Sequence, residues 1–319
     1  HYPPTQAFLN YADEYGLYVE DETAITWWGE IPKESALYTA DFMNGLAEMI
    51  ERDRNHPSII MWSIGNESFW DPNFDKEYKY AKAIDPSRPV IWSYTEVRGP
   101  EEDISKTDIF SQHYPAFTDE VPRKGKPILL DEYAHVVSYD IPTLQRDPNI
   151  RNFWGESIAG YWSKILKNPH ALGGAIWGGI DESFYSPQGM SGYGDWGVID
   201  GWRRPKPEFW LMKKAYSPIR ISAKNSLEVH QGKPLAVNVW NTFDHTNLGN
   251  LNIAWRIGSE KGVLSSVDIP PWEEGILHIP AHQGAYGELL NLQFTKDDIL
   301  IDEFNLMIGK TMQKAAPQP

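Results

Sequence analysis

Cysteine is absent from the 319-residue sequence. Its absence excludes a disulfide framework, a thiolate nucleophile and a zinc site built on cysteine ligands. Apolar runs of about 18 residues are also lacking, so the sequence predicts no membrane span and no membrane partner. The opening residues His1-Tyr2-Pro3-Pro4 have neither the basic nor the apolar region of a signal peptide. None of this fixes the compartment, and both the bacterial periplasm or exterior and the cytoplasm remain open.

Positive charge is scarce relative to negative charge. The sequence has 29 Lys and Arg against 44 Asp and Glu, which gives a formal net charge of −15. Nucleic-acid binders need a basic face to displace counterions, so no nucleic-acid partner is expected. The fourteen tryptophans fit two interpretations, a large core or a sugar site, because flat indole faces pack well against pyranose C–H groups.

Residues 1 to about 216 alternate short apolar runs with segments of helical period. This rhythm is typical of βα units and a parallel sheet. Apolar residues at helical spacing predict helices around 42–50 and 154–165. Six strands are predicted, at 17–22, 58–64, 90–94, 108–111, 127–130 and 174–177.

Polar or acidic pairs stand at the end of each predicted strand. These pairs are Asp21 and Glu22, Asn66 and Glu67, Thr95 and Glu96, His113 and Tyr114, Asp131 and Glu132, and Asp181 and Glu182. A (β/α)₈ barrel has its active site at this face, whereas a doubly wound sheet uses one switch-point crevice. We therefore predict an α/β TIM barrel. Since six of eight strands are found, we expect strands 3–8 here, with the first two missing or supplied by another segment.

The spacing of apolar residues changes from about residue 217. Strict alternation of apolar residues occurs at Leu235–Val239, Leu251–Ile257 and Leu290–Phe294. Alternation of period two between turn residues is typical of an antiparallel β-sandwich. We predict a catalytic barrel domain over 1–216 and an immunoglobulin-like β-sandwich over 217–319.

Two glutamates close strongly apolar predicted strands, Glu67 and Glu132. Cleavage of a glycosidic bond commonly uses two carboxyl groups, one as acid/base and one as nucleophile. On a barrel, strand ends far apart in sequence converge on one pocket. The pair therefore predicts glycoside hydrolysis.

The sequence around both glutamates resembles a known family. The segment Arg54-Asn55-His56-Pro57-Ser58-Ile59-Ile60-Met61-Trp62-Ser63-Ile64-Gly65-Asn66-Glu67-Ser68 resembles the acid/base signature of glycoside hydrolase family 2. The segment Lys126-Pro127-Ile128-Leu129-Leu130-Asp131-Glu132-Tyr133-Ala134-His135 resembles its nucleophile signature. The resemblance spans roughly residues 1–220, and the nearest subgroup looks like the β-galactosidases.

The resemblance implies a retaining exo-β-glycosidase acting on terminal β-linked sugars. It implies Glu67 as acid/base and Glu132 as the residue that forms the glycosyl-enzyme. Sugar-binding roles are implied for four residues, His1, Asn66, His135 and Trp177. Tyr114 would contact the nucleophile carboxylate, and we expect Trp28, with Trp27, to shape a sugar subsite.

This sequence differs from the metal-dependent members of the family at the positions that bind Mg²⁺. Metal-dependent β-galactosidases of this family hold Mg²⁺ with a Glu and a His, and Thr26 and Trp28 occupy the matching positions. Neither is a plausible Mg²⁺ ligand, so we expect no catalytic Mg²⁺ and no other cofactor.

The β-glucuronidase branch of the family is the nearest alternative. The Asn and Lys with which that branch reads a carboxylate are missing, since Tyr193-Gly194-Asp195-Trp196-Gly197 stands there instead. Arg203 and Arg204 remain candidates for an anionic group such as sulfate or uronate. A glycoside or oligosaccharide is the expected partner, and upstream domains or a homo-oligomer are compatible with the sequence. A function of another class stays open as well, a non-catalytic fragment or carbohydrate-binding remnant.

Overall fold

The computed structural model describes residues 1–29, 35–93, 106–122, 125–136, 141–192, 194–221, 227, 233–280 and 287–309. The chain divides into two compact units, His1–Ala215 and Tyr216–Pro319. The first unit has parallel strands with helices and one antiparallel hairpin, and the second has antiparallel strands.

The first unit contains the six predicted strands in the predicted order, with shifted ends. They are β1 (Val19–Glu22), β2 (Ile59–Asn66), β3 (Val90–Ser93), β4 (Phe110–His113), β5 (Ile128–Tyr133) and β6 (Ala171–Ile176). The last residue predicted for the third strand, Tyr94, lies outside the described residues. The strands form two three-stranded parallel sheets, β1-β2-β3 and β4-β5-β6. An isolated parallel bridge between Ile91 and Ile109 connects β3 to the start of β4.

Helices are confirmed at the two predicted places, around 42–50 and 154–165, and four more are present in the described residues. They are α1 (Gln6–Tyr15), α2 (Thr39–Asp53), α3 (Pro72–Ile84), α4 (Ile141–Arg146), α5 (Ile150–Leu166) and α6 (Pro207–Ala215). The side chain of Thr5 caps the start of α1, and Gly16 ends that helix in a left-handed conformation that suits glycine. None of the helices in the described ranges is long and apolar enough to cross a membrane.

The apolar faces of α1, α2 and α3 pack on the first sheet. Leu46 and Ile50 of α2 and Phe74 of α3 are fully buried against Trp62 and Trp92 of β2 and β3. Burial of side chains of this size stabilises a fold by about 1.5–3 kcal/mol each. The packing fixes the strands whose ends carry the predicted site.

Both outer strands of the parallel run have a single parallel partner among the described residues. The strand β1 pairs with β2, and β6 pairs with β5. Large apolar side chains are exposed beside these edges, including Tyr18 at 69% and Leu172 at 54%. A hairpin of β7 (Ser183–Ser186) and β8 (Gly189–Gly192) follows β6.

The second unit contains two antiparallel sheets. One has the order β13-β10-β9, with β9 (Ile219–Ile221), β10 (Leu235–Asn241) and β13 (Glu274–Ile279). The other has the order β12-β11-β14-β15, with β11 (Asn252–Ile257), β12 (Glu260–Val263), β14 (Leu289–Lys296) and β15 (Ile299–Met307). The alternating residues that predicted a sandwich are buried in one core shared by both sheets. The immunoglobulin-like topology stays a prediction.

Candidate active site

The carboxyl ends of the parallel strands bring the predicted site together. Glu67 directly follows β2, Tyr114 directly follows β4, and Ala134 directly follows β5. All three adopt left-handed backbone angles, with φ of 42°, 44° and 59°. A non-glycine residue pays roughly 1–2 kcal/mol for this conformation, and such strain concentrates at functional sites. The strain marks this edge of the sheets as the candidate active site.

Glu67 is contacted on both sides of its carboxylate. The indole Nε1–H of Trp27 donates to Oε2 at 2.8 Å. On the other side, Nδ1 of His113 lies 3.1 Å from Oε1. Trp27 is itself tied to the strand end, because its backbone N–H donates to the carbonyl of Asn66. The side chain of Glu67 is therefore fixed in place before any ligand binds.

Glu132 belongs to β5 and is buried, with 8% of its surface exposed. The hydroxyl of Tyr114 donates to Oε2 of Glu132 at 2.5 Å, and Nδ1 of His113 lies 3.5 Å from the same oxygen. Burial raises the pKa of Glu132, while the positive charge of His113 and the Tyr114 hydrogen bond lower it. Repulsion from Glu67 and Asp131 adds to the rise, and the resulting pKa is about 7. Glu132 is thus ionised above neutral pH.

His113 links the two carboxylates, although the sequence left its role undecided. Its imidazole is fully buried at the end of β4. Burial lowers the pKa of His113, but the charges and hydrogen bonds of Asp131, Glu67 and Glu132 outweigh burial and raise the pKa to about 10. The strand-end position was the only sequence signal for this residue, since its contacts depend on three different strands.

Asn66 and His1 lie next to Glu67. The buried side chain of Asn66 accepts a hydrogen bond from the Ser93 hydroxyl at 3.1 Å, and its Nδ2 lies 3.3 Å from Nε2 of His1. The His1 ring packs 5.1 Å from the ring of Trp177. These three predicted residues form one continuous polar and aromatic wall.

Tyr114 and His135 stack on each other beside Glu132. Their ring centroids are 4.6 Å apart with an interplanar angle of 23°. The indole of Trp196 packs on His135 with its edge, at 5.2 Å. Burial followed by the charge of Glu132 raises the pKa of Tyr114, so its hydroxyl stays a donor. Burial lowers the pKa of His135 and favours the neutral imidazole, whose Nδ1 is buried without a partner in the described structure.

A cavity of about 360 Å³ opens at the nucleophile side of the pair. Glu132 and Trp177 line it together with His1 and Glu22. Oε2 of Glu22 accepts a hydrogen bond from the Ser63 hydroxyl at 2.7 Å. The lining also includes Tyr18 and Val19 at the β1 edge and Ala175 of β6 but not Glu67, so part of this cavity is the opening between the two outer strands.

Trp28 is the predicted residue that this structure does not bring to the pair. Its indole N–H donates to Asp71 at 3.1 Å, and its ring packs on Tyr38 and Phe42 at 5.1 and 4.9 Å. Its neighbour Trp27 takes the position beside Glu67. The sequence does not show which of the two adjacent tryptophans contacts Glu67, because the left-handed backbone of Trp27, with φ of 55°, sets the direction of its side chain.

The positions that would hold Mg²⁺ in metal-dependent relatives do not suit that ion. The hydroxyl of Thr26 is buried without a hydrogen-bond partner among the described residues, and Trp28 presents an indole donor to Asp71. Magnesium prefers carboxylate and water oxygens. The absence of a catalytic Mg²⁺ stays a prediction.

Within the described ranges, one group of three side chains has the ligand types and spacing for a metal. Glu67, His113 and Glu132 each place one atom within 4.8 Å of the others. His113 lies between the two carboxylates, 3.1 Å from an oxygen of Glu67 and 3.5 Å from one of Glu132, an arrangement that suits proton exchange as well as metal binding.

Other candidates lie at the margin of the site. Asp181 accepts from Lys206 at 2.8 Å and from the backbone of Gly197, which ties together the segments after β6. Arg204 pairs with Asp200 and stacks on an exposed tryptophan, Trp202. Three predicted positions, Thr95, Glu96 and Tyr193, lie outside the described residues.

Comparison with known proteins decides the family. Residues 1–221 match the model of the TIM barrel domain of glycosyl hydrolases family 2. The chain belongs to glycosyl hydrolase family 2. The resemblance drawn from the two glutamate motifs is confirmed, and the six parallel strands belong to a family 2 barrel domain.

A curated relative and solved structures of the family are similar to this chain. A β-galactosidase from Alteromonas mediterranea is 32% identical over 202 residues, which cover 57% of this chain and 18% of that protein. The structure of a family 2 β-galacturonidase from Eisenbergiella tayi has a TM-score of 0.55 at 23% identity, covering 68% of this chain and 43% of that chain. β-Glucuronidase 3 from Bacteroides uniformis has a TM-score of 0.53 at 17% identity, covering 97% of this chain and 44% of that chain. At these identities the solved structures support the fold alone.

The chain spans less than a fifth of the length of the β-galactosidase it matches, and less than half of both solved structures. Family membership therefore describes residues 1–221, whereas the activity of the complete protein is a proposal.

Proposed function

We propose that the complete protein is a retaining exo-β-glycosidase that removes a terminal β-linked sugar, with a β-galactoside as first candidate. The observation that carries the proposal is the pairing of Glu67 and Glu132, whose carboxylates each place an oxygen within 4.8 Å of the other. Retaining enzymes hold their two carboxyl groups about 5–5.5 Å apart, and inverting enzymes about 6.5–9.5 Å apart. The spacing supports double displacement.

The contacts of the two glutamates support different roles. Glu132, fixed by the Tyr114 hydroxyl, faces the cavity and is ionised above about pH 7, as a nucleophile must be. Glu67 lies opposite Glu132 with His113 between them, and Trp27 donates to the other carboxylate oxygen of Glu67. In the proposed reaction Glu132 attacks the anomeric carbon, and Glu67 protonates the leaving oxygen and later activates water.

The neighbouring residues supply sugar contacts in this proposal. The amide of Asn66 would hydrogen-bond the sugar 2-hydroxyl, and the imidazoles of His1 and His135 would contact further hydroxyls. The indole of Trp177 would form a wall for a pyranose face, as its position at the cavity suggests.

The choice between a neutral sugar and a uronate rests on charge. Glu20, Glu22 and Asp131 line the cavity, and no lysine or arginine is among its described lining residues, although units that close the barrel would add residues of their own to this lining. A buried uronate carboxylate needs a cationic partner. The name of the curated relative, a β-galactosidase, points the same way. Glucuronides and sulfated galactosides are the alternatives.

We also propose that two further βα units close the barrel against β1 and β6. Both strands lack a second parallel partner in the described part of the chain, and apolar side chains are exposed at both edges. Without that closure the 1–319 chain alone is a non-catalytic piece, because catalysis needs the two carboxyl groups held to within about 0.5 Å.

The activity is tested with the complete protein on aryl β-glycosides of galactose, glucuronate, arabinose and galactose 6-sulfate. We expect turnover of the galactoside and its loss in Glu132→Gln. We also expect Glu67→Gln to lose about 10²–10⁴-fold on a poor leaving group and less on dinitrophenol, which needs no proton. Equal turnover by the wild type and both variants on every glycoside would exclude the assignment.

Independence from Mg²⁺ is a separate prediction. We expect dialysis against EDTA to leave kcat/KM within a factor of two, because Thr26 and Trp28 offer no carboxylate or imidazole to the ion. A loss of activity that added Mg²⁺ restores would show that other residues bind the ion.

A further inference from the structure

His113 lies between the two glutamates of the proposed pair, and its protonation state can be inferred from hydrogen-bond geometry. Its Nδ1 lies 3.1 Å from a carboxylate oxygen of Glu67 and 3.5 Å from one of Glu132. Ionised carboxylate oxygens only accept hydrogen bonds. A bare Nδ1 would then direct its lone pair at two acceptors in a buried place, so Nδ1 carries a hydrogen when Glu67 and Glu132 are both ionised.

The opposite nitrogen of His113 carries a hydrogen as well. Its Nε2 lies 2.8 Å from the hydroxyl of Ser93, and that hydroxyl has a single hydrogen, which it donates to Oδ1 of Asn66 at 3.1 Å. Nε2 is therefore the donor to Ser93, and Asp131 adds a carboxylate oxygen 3.5 Å away. With Glu67 and Glu132 ionised, both ring nitrogens carry hydrogens and the ring is an imidazolium.

The charged groups around His113 agree with this state. Glu67, which follows β2, and the pair Asp131 and Glu132 from β5 each have a carboxylate oxygen within 3.5 Å of the ring, and Glu20 from β1 is a buried carboxyl group whose own pKa is raised by burial. Tyr114, the next residue along the chain, is a neutral donor to Glu132. The carboxylates together outweigh the burial of the ring and raise the pKa of His113 to about 10.

The site thereby contains the proton that double displacement requires, but at an unusual place. A retaining site needs two carboxyl groups and one proton, which the acid/base normally carries. Oε2 of Glu67 accepts from Trp27, and Oε1 lies 3.1 Å from Nδ1 of His113, so one proton between these two atoms can be on either residue. We propose that the resting site stores this proton on Nδ1 of His113 and delivers it through Glu67, an inference that rests on the proposed function.

The steps balance as follows. The Nδ1 proton moves to Oε1 of Glu67, which leaves a neutral imidazole with its hydrogen on Nε2. Glu67 passes a proton to the glycosidic oxygen as the C–O bond breaks and Glu132 bonds to the anomeric carbon, so the aglycone leaves as an alcohol. In the second half Glu67 takes a proton from water and returns one to Nδ1, while the new C–O bond releases Glu132 as a carboxylate.

The stored proton can be observed without turnover. In the ¹⁵N spectrum of the histidine-labelled chain at pH 8, assigned by the loss of signals in His113→Asn, we expect His113 to show two protonated ring nitrogens. The same spectrum is recorded on the complete protein. A bare Nδ1 at pH 8 in the complete protein would overturn the proposal, whatever substrate the protein hydrolyses.

Kinetics separate proton delivery from positioning. The amide of His113→Asn still offers an N–H near the place of Nδ1 but has no proton to release. We expect kcat/KM to fall about 100-fold or more for 4-methoxyphenyl β-galactoside and less than about fivefold for 2,4-dinitrophenyl β-galactoside. His56→Asn, a histidine paired with Asp13 on the opposite side of the strands, is the control for general loss of stability. Equal losses on both substrates would reduce His113 to a positioning residue and contradict the proposal.

Discussion

At the scale of single residues, the site depends on side chains whose direction is set by a strained backbone. Glu67, Tyr114 and Trp27 all have positive φ angles. Trp27 donates a hydrogen bond to the carboxylate of Glu67, and Tyr114 donates one to the carboxylate of Glu132. The motifs predicted Glu67, Glu132 and Tyr114, because sequence order places them at strand ends. They could not predict the contacts of Trp27 and His113, which depend on backbone angles and on strands that meet only in the fold.

Tyr114→Phe tests the hydrogen bond to Glu132. Because this bond lowers the pKa of Glu132, its removal raises that pKa, and the carboxylate is protonated at a higher pH. We expect the acid limb of kcat/KM against pH to move up by about one unit, so that activity falls more at pH 6 than at pH 8. Tyr78→Phe, which removes a tyrosine–aspartate bond to Asp108 away from the pair, should leave the limb in place. An unchanged limb in Tyr114→Phe would contradict the contact.

At the scale of elements, the sequence predicted the strands well and the buried charges poorly. Apolar runs and alternation found all six parallel strands and the buried positions of β10, β11 and β14, since burial requires them. The spacing of apolar residues did not predict that Glu77 is buried, yet it lies on α3 with no exposed surface. Both of its carboxyl oxygens are buried without hydrogen-bond partners. Burial, aided by the charge of Asp71, raises the pKa of Glu77 to about 9.

Glu77→Gln should therefore stabilise the protein at neutral pH. The unfolded chain loses the Glu77 proton near the ordinary glutamate pKa of 4.5, while the folded chain keeps it to about pH 9, so ionisation of this group lowers stability as pH rises between these values. Replacing it with glutamine should raise the free energy of unfolding at pH 7 by on the order of 2 kcal/mol, with the gain vanishing near pH 4. Urea unfolding at both pH values measures this, with the exposed Glu51→Gln as control. A variant less stable at pH 7 would show that Glu77 has a partner in solution.

At the scale of the whole molecule, the sequence predicted six parallel strands. Because a closed barrel has eight, the outer strands β1 and β6 each have one unpaired edge in the described residues. The residues that would pair with β1 and β6 cannot be identified, because the proposed closing units lie outside these 319 residues. The outward side chain of Leu172 on β6 is 54% exposed, and closure would cover it. Family and fold were thus within reach of the sequence, whereas the closed barrel around the glutamates is inferred from unpaired strands.

Leu172→Lys tests the closure. The substitution should leave the unfolding midpoint of the 1–319 chain nearly unchanged, because the side chain is exposed there. In the complete protein it should lower the free energy of unfolding by about 2 kcal/mol or more, since a buried lysine without a partner is costly. Val263→Lys, on β12 and also exposed, is the matched control. Equal effects of Leu172→Lys in both forms would contradict the proposed closing units.

The central claim, that Glu132 is the nucleophile of a retaining site, is tested most directly by trapping. The complete protein is incubated with a 2-deoxy-2-fluoro glycosyl donor of the sugar that the substrate panel identifies, digested, and sequenced by mass spectrometry. A covalent glycosyl group on Glu132, with inactivation at one label per chain, is the predicted result. A label on Glu67, Asp131 or any other residue of a protein that turns over the parent glycoside would contradict it.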